Sequence, residues 1–172
     1  NIAMTQLQDE LANQIEKPTP AQQDMIRADT IKGSMMLSNL GVADALWLDI
    51  VSSHHDETSG KADYRLVPPS TLLVHILRVV DRYAAMISPR LSRAGRSATE
   101  SARAVMANTS AKTDEVAHAM VRAVGLCPPG TFVRMDTGDL GVVVRRSSAL
   151  NQPYVAIVGK PDGEILTMPR LH

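Results

Sequence analysis

The sequence predicts a mainly α-helical domain followed by a small C-terminal β appendage of two hairpins. Three observations carry this expectation. Apolar residues recur at helical spacing as far as Gly125, the period falls to two from Pro128 onward, and cap and turn residues stand at the joins. The boundary is placed at Cys127, giving a helical unit over residues 4–126 and a β unit over 127–172. With 172 residues and 44% hydrophobic content the chain can build a core of its own, and those numbers fit neither disorder nor a membrane protein.

The first helix is expected over residues 5–16, with Asn1, Ile2 and Ala3 read as an addition ahead of Met4. Thr19, Pro20 and Gln22 supply an N-cap, an N1 proline and a capping-box partner, opening a second helix that runs to about Ser38 before Asn39 and Gly41 stop it. A third helix is read over 42–55, and the stretch from Asp56 to Pro69, with Gly60 and two prolines, is read as a loop. Ser70 caps a strongly apolar fourth helix ending at Ser88 before Pro89. Ser97 with Glu100 offers a capping box for a fifth, and Thr113 opens a sixth that Gly125 closes. Strands over 131–135 and 140–146 flank Asp-Thr-Gly-Asp, and strands over 154–158 and 164–168 flank Lys-Pro-Asp-Gly. Roughly 45 residues hold little core alone, so the β unit is expected to pack on the helices or on a second copy, as in a homodimer.

Composition narrows the function. Lys plus Arg and Asp plus Glu each number 18, which argues against a dedicated nucleic-acid surface. The balance hides a local excess: Arg78, Arg82, Arg90, Arg93, Arg96 and Arg103 face only Asp81 and Glu100 over that stretch. Arg90, Arg93 and Arg96 can pair with phosphates, since guanidinium forks match those oxygens; the alternative is a solvated surface. A single Cys127 excludes a disulfide framework and a Cys-based zinc site within one chain. No apolar run approaches the ~18 residues that span a bilayer, and a cytoplasmic location is expected.

The informative residues are polar ones where helical geometry expects apolar ones. On the third helix Ala43, Trp47 and Ile50 lead to His54, and Leu48 and Val51 lead to His55. On the fourth, Asp81 follows Leu77 and precedes Ala84, and on the second, Asp29 lies with Met25, Ile26, Gly33 and Met36. Two imidazoles and two carboxylates converging between helices make a ligand set for a divalent cation such as iron, manganese or zinc. The alternative keeps no ion: His54 and His55 serve the helix C-terminus, and Asp81 pairs with Arg78. His75 and His118 stand alone on their helices and read as structural or exposed.

Residues 16–33, then His54-His55-Asp56, then the run from Ile76 to Met86 (Ile-Leu-Arg-Val-Val-Asp-Arg-Tyr-Ala-Ala-Met), resemble in order and spacing the second half of the HD-GYP phosphohydrolase domain. The Ser-Pro-Arg-Leu-Ser-Arg run ending at Arg93 continues the match, as does Pro-Pro-Gly-Thr-Phe-Val-Arg ending at Arg134. The resemblance implies an HD-domain-like helical bundle, metal dependence, and a part in cyclic-di-GMP signalling. It carries over His54, His55 and Asp81 as metal ligands, with Asp29 standing where the family has a histidine. The departures are specific. No His occurs before His54, so the defining His-Asp pair is lacking, and residues 57–65 have lost the Gly-Tyr-Pro signature. The resemblance therefore implies a degenerate or truncated module that binds cyclic-di-GMP, or a related nucleotide or signalling partner protein, rather than hydrolysing it. The alternatives are the C-terminal part of an active cyclic-di-GMP phosphodiesterase and a structural dimerisation module.

Overall fold

The structure, a computed structural model, describes residues 2–56, 66–107, 114–148 and 152–172. Six α-helices precede four strands: α1 (Thr5–Asn13), α2 (Pro20–Asn39), α3 (Ala45–Ser53), α4 (Pro69–Ile87), α5 (Ala98–Ala107), α6 (Glu115–Val124), then β1 (Phe132–Arg134), β2 (Leu140–Arg145), β3 (Tyr154–Gly159) and β4 (Ile165–Leu171). Ile2–Met4 form a 3-10 turn that lies against α2.

Local signals set most boundaries. The Thr19 hydroxyl accepts from the Gln22 amide while the Gln22 side chain accepts from the Thr19 amide, a closed capping box with Pro20 in the first turn. The same exchange joins Ser97 and Glu100 ahead of α5, and the Ser97 hydroxyl and amide, both donating to the Glu100 carboxylate, hold it below the usual carboxylate range. Gly125 ends α6 at a positive φ of 85°. Other boundaries differ from expectation. α1 stops at Asn13, and α3 starts only at Ala45 because Asp44 caps it through the Trp47 amide. α4 begins at Pro69, ahead of the expected Ser70 cap, since a proline needs no N–H partner in the first turn. Thr113 lies outside the described residues, and the side chain capping α6 is that of Asp114.

The core lies among α4, α5 and α6, where Val79, Tyr83, Ala102, Val105, Ala117 and Met120 pack together. Its α4 stripe runs Leu72, His75, Val79, Tyr83 and Met86, and it therefore includes an imidazole. His75 Nε2 meets Asp114 Oδ2 at 2.8 Å with both side chains buried, and Asp114 Oδ1 accepts from the Val116 and Ala117 amides at 3.0 and 3.1 Å. One carboxylate thus caps α6 and ties it to α4. His118 is exposed, as read from the sequence.

The strands form one antiparallel sheet in the order β1-β2-β3-β4, because β2 also pairs with β3 and joins the two expected hairpins. Val143, Val155 and Ala156 are its buried residues of largest side chain. Gly141 sits at a register irregularity, opposite Ile157 and close to Val155. At the outer strand, the amide and carbonyl of His172 both bond Val155, and Leu171 is the register partner of Ala156. Pro169 lies within this edge strand.

Candidate metal centre

Three elements deliver the polar cluster. His54 is the C-cap of α3, where the chain leaves the helix at φ −69° and ψ −11°, and His55 follows it in the turn. Asp81 comes from the middle of α4, and Asp29 from the middle of α2. α2 and α3 meet at Gly33, one turn after Asp29, where a Cβ would lie at an ordinary contact distance of 3.6 Å from Val51 Cγ1. The Ser34 hydroxyl donates to the Leu48 carbonyl at 3.1 Å across the same seam.

His54, His55 and Asp81 each present one ligand atom such that all three lie within 4.8 Å of one another. Among the described residues this is the only such group of three or more His, Cys, Asp or Glu. Two ligands at about 2.1 Å from a common ion are separated by at most roughly 4.2 Å, so atoms within 4.8 Å of one another need to close by only about half an ångström to share one centre. His54 is buried and His55 exposed, with ring centroids 4.5 Å apart at 60°. The expected helix ran to His55; it ends two residues earlier, at Ser53, and the turn carries His54 inward and His55 outward.

Hydrogen bonding fixes the chemistry of the two rings. His54 Nδ1 lies 2.8 Å from the Val51 carbonyl. A carbonyl only accepts, so Nδ1 carries a proton, and in the neutral ring that leaves the lone pair on Nε2, the state a metal ligand needs. Burial pushes the His55 ring below the ordinary histidine range; His54 pushes the same way, while Asp81 and Asp29 pull against both. That direction favours the neutral imidazole a metal requires. The donor set, two imidazoles and a carboxylate, fits a borderline divalent cation.

Asp29 is 2% exposed and close enough to act electrostatically on His55, but it is not in the group of three. Its stripe is narrower than the sequence suggested. Only Asp29, Thr30 and Gly33 are buried on α2, while Met25 and Met36 are exposed, as is Trp47 on α3. The Gly-Tyr-Pro-like segment 57–65 lies outside the described residues.

Arg78 is a part of the site that the sequence did not reveal. One turn before Asp81, its Nη1 donates to the Asp56 carbonyl at 3.0 Å, pinning the chain just after His55 to α4. Its place on the polar side of α4 was visible; its carbonyl partner was not. Arg90 and Arg93 form a reciprocal backbone bridge, Arg93 Nη2 donates to the Ala85 carbonyl at 2.5 Å, and Arg96 Nη1 approaches Met86 Sδ at 3.7 Å. This loop folds back on the end of α4, one turn beyond Asp81. Burial and the Arg93 charge lower the pKa of Arg90.

Comparison with known proteins adds one relative. The chain is similar to a cyclic di-GMP phosphodiesterase of Pseudomonas aeruginosa. The two are 29% identical over 148 residues, which make up 85% of this chain and 36% of that protein. The chain thus spans about a third of the length of the curated relative it matches. No family model matches it, and no solved structure matches it significantly. Among the described residues no helix is long and apolar enough to cross a membrane.

Proposed function

We propose that the chain is a degenerate HD-GYP-like signalling domain, its helical unit 4–126 followed by the β appendage 127–172, that binds a divalent cation and cyclic di-GMP without hydrolysing the dinucleotide on its own. His54, His55 and Asp81 would hold the ion, and Asp29 would sit behind them as a charge that steadies it. The observation carrying this reading is the gathering of three ligand atoms within 4.8 Å from residues that resemble ligands of that family. The relative's name supplies the dinucleotide.

A bound divalent ion would supply charge neutralisation for a phosphate and acidify a coordinated water. The chain's own residues do the rest. Val51 sets the His54 tautomer, Arg78 holds the turn that carries both imidazoles, and Arg90, Arg93 and Arg96 offer guanidinium donors to phosphate oxygens beyond Asp81. Hydrolysis by two ions needs a second ligand set at bridging distance, roughly 3.5 to 4 Å from the first ion. Three residues serve one ion. A second reading, in which this chain is part of an active phosphodiesterase, is favoured by the greater length of the relative.

Manganese at 100 times its dissociation constant should stabilise the purified chain by about 2.7 kcal/mol, and His54→Ala should abolish that increment. Cyclic di-GMP should bind while no linear dinucleotide or GMP accumulates. Turnover near ~1 per second, lost in His54→Ala, would establish the second reading instead. A melting temperature indifferent to both manganese and chelator would remove the metal site.

Arg78→Ala should weaken manganese binding roughly 10-fold, the size typical for losing a group that orients metal ligands, with little change in global stability. Equilibrium dialysis beside a urea titration reads both quantities. Unchanged affinity would show that the turn holds its geometry without Arg78.

A further inference from the structure

Away from the histidine cluster, a cavity of about 360 Å³ opens where α5, α6 and the segment after β2 meet. Met106, Val121 and Leu126 supply apolar wall, Arg122 and Arg146 supply two cations, and among the described residues no carboxylate lines it. The volume lies within the range of ordinary small-molecule sites, and the combination of apolar wall with a few convergent polar groups is the usual one.

The Arg146 guanidinium is held in place. Its Nη2 donates to the Arg122 carbonyl at 2.7 Å and its Nη1 to the Ala123 carbonyl, both at the end of α6. Gly125 makes the approach easy, since a Cβ there would lie 3.7 Å from Arg146 Nε. These bonds satisfy carbonyls at the negative end of the α6 dipole, which would otherwise repel an anion. A guanidinium has five N–H donors, more than two carbonyl bonds use. A fixed cation over an apolar cavity with no opposing acid is electrostatically matched to one negative charge on an apolar body.

We propose that this cavity is a binding site for an amphipathic monoanion, a carboxylate with a medium-length hydrocarbon body. Its head pairs with Arg122 and Arg146, and its body lies along Met106, Val121 and Leu126. Such a ligand would touch the helical unit and the chain leading out of β2 together.

The chain's single cysteine, Cys127, lies in the cavity wall and reports occupancy. Decanoate and decanol serve as probes, and the rate of Cys127 alkylation by iodoacetamide is followed in the purified chain. Saturating decanoate should slow alkylation, and Arg122→Gln should raise the half-protecting decanoate concentration about 10-fold or more, as expected for losing one charge-assisted hydrogen bond. Arg122 is exposed, so that variant should fold. Met106→Trp, which fills the cavity, should remove protection. No protection by decanoate, equal protection by decanol, or an unchanged decanoate curve in Arg122→Gln would each overturn the proposal.

Discussion

Asp114→Ala should cost roughly 3 to 5 kcal/mol of folding free energy, a third or more of the total stability of an ordinary domain. The carboxylate is 2% exposed and serves three donors at once: Oδ2 meets His75 Nε2, and Oδ1 accepts from the Val116 and Ala117 amides. Removing it strips α6 of its cap, worth about 1 kcal/mol, and leaves a buried imidazole without its acid. Asp114→Asn should cost less, because the amide oxygen still caps the helix while its NH2 faces a ring that must change tautomer to accept. A urea midpoint lowered with an unchanged slope would register the effect as stability alone. A loss under about 0.5 kcal/mol would mean that the pair contributes nothing net. His75→Ala and the double variant complete the cycle, and their coupling isolates the pair from the cap.

Gly141→Ala is the second large effect, expected at about 1 to 3 kcal/mol or above. A Cβ on Gly141 would fall 2.3 Å from Val155 Cγ1, a contact no real methyl makes. Val155 cannot yield easily: it is buried, its β-branched side chain is stiff, and its strand is paired on both sides. The penalty should shrink when Val155→Ala is added, since the second change vacates the space the first requires. Gly33→Ala is the natural control. Its Cβ would make an ordinary 3.6 Å contact with Val51 of α3, and replacing a helical glycine should leave stability unchanged or raise it by up to about 1 kcal/mol. Equal melting temperatures for the wild type and Gly141→Ala would show that the β2–β3 spacing relaxes freely.

Why some of this was readable from the residues, and some not, follows from the range of the forces involved. Caps and turns act over three or four residues, so Thr19 with Gln22, Ser97 with Glu100, and Gly125 could be read directly and stand in the structure as expected. The meeting of His54, His55 and Asp81 was legible from the imidazole pair closing α3 and the acid set among apolar residues of α4, although α3 itself buries no residue and His55 is exposed. The widths of those stripes were not. Trp47, Met25 and Met36 look like core on a helical wheel, yet they are exposed, because a wheel gives direction and says nothing of what arrives to cover it. His75 was passed over as solitary, although its place between Leu72 and Val79 marks it as inward. Its partner lies 39 residues away, a separation at which no local pattern operates. The Arg78 bond to a backbone carbonyl is invisible for another reason: every residue carries the same carbonyl, so the acceptor leaves no mark in the sequence.

The outer strand of the sheet carries a consequence for how copies of this protein behave when crowded. In an antiparallel ladder, residues alternate between facing the partner strand and facing away. His172 bonds Val155 through both its amide and its carbonyl, and Leu171 and Arg170 stand opposite Ala156 and Ile157, whereas the register shifts between Arg170 and Ile165, so Pro169 falls where regular pairing breaks off. The strand would otherwise expose a free row of donors beside Ile165, Met168 and Leu171, all largely solvent-accessible, which is the profile of a template for runaway strand addition. Proline has no N–H to offer an incoming chain, and its ring obstructs the approach. Pro169 therefore leaves this edge one donor short and sterically blocked against strand addition, a consequence that concerns colloidal fate rather than folding or ligand binding.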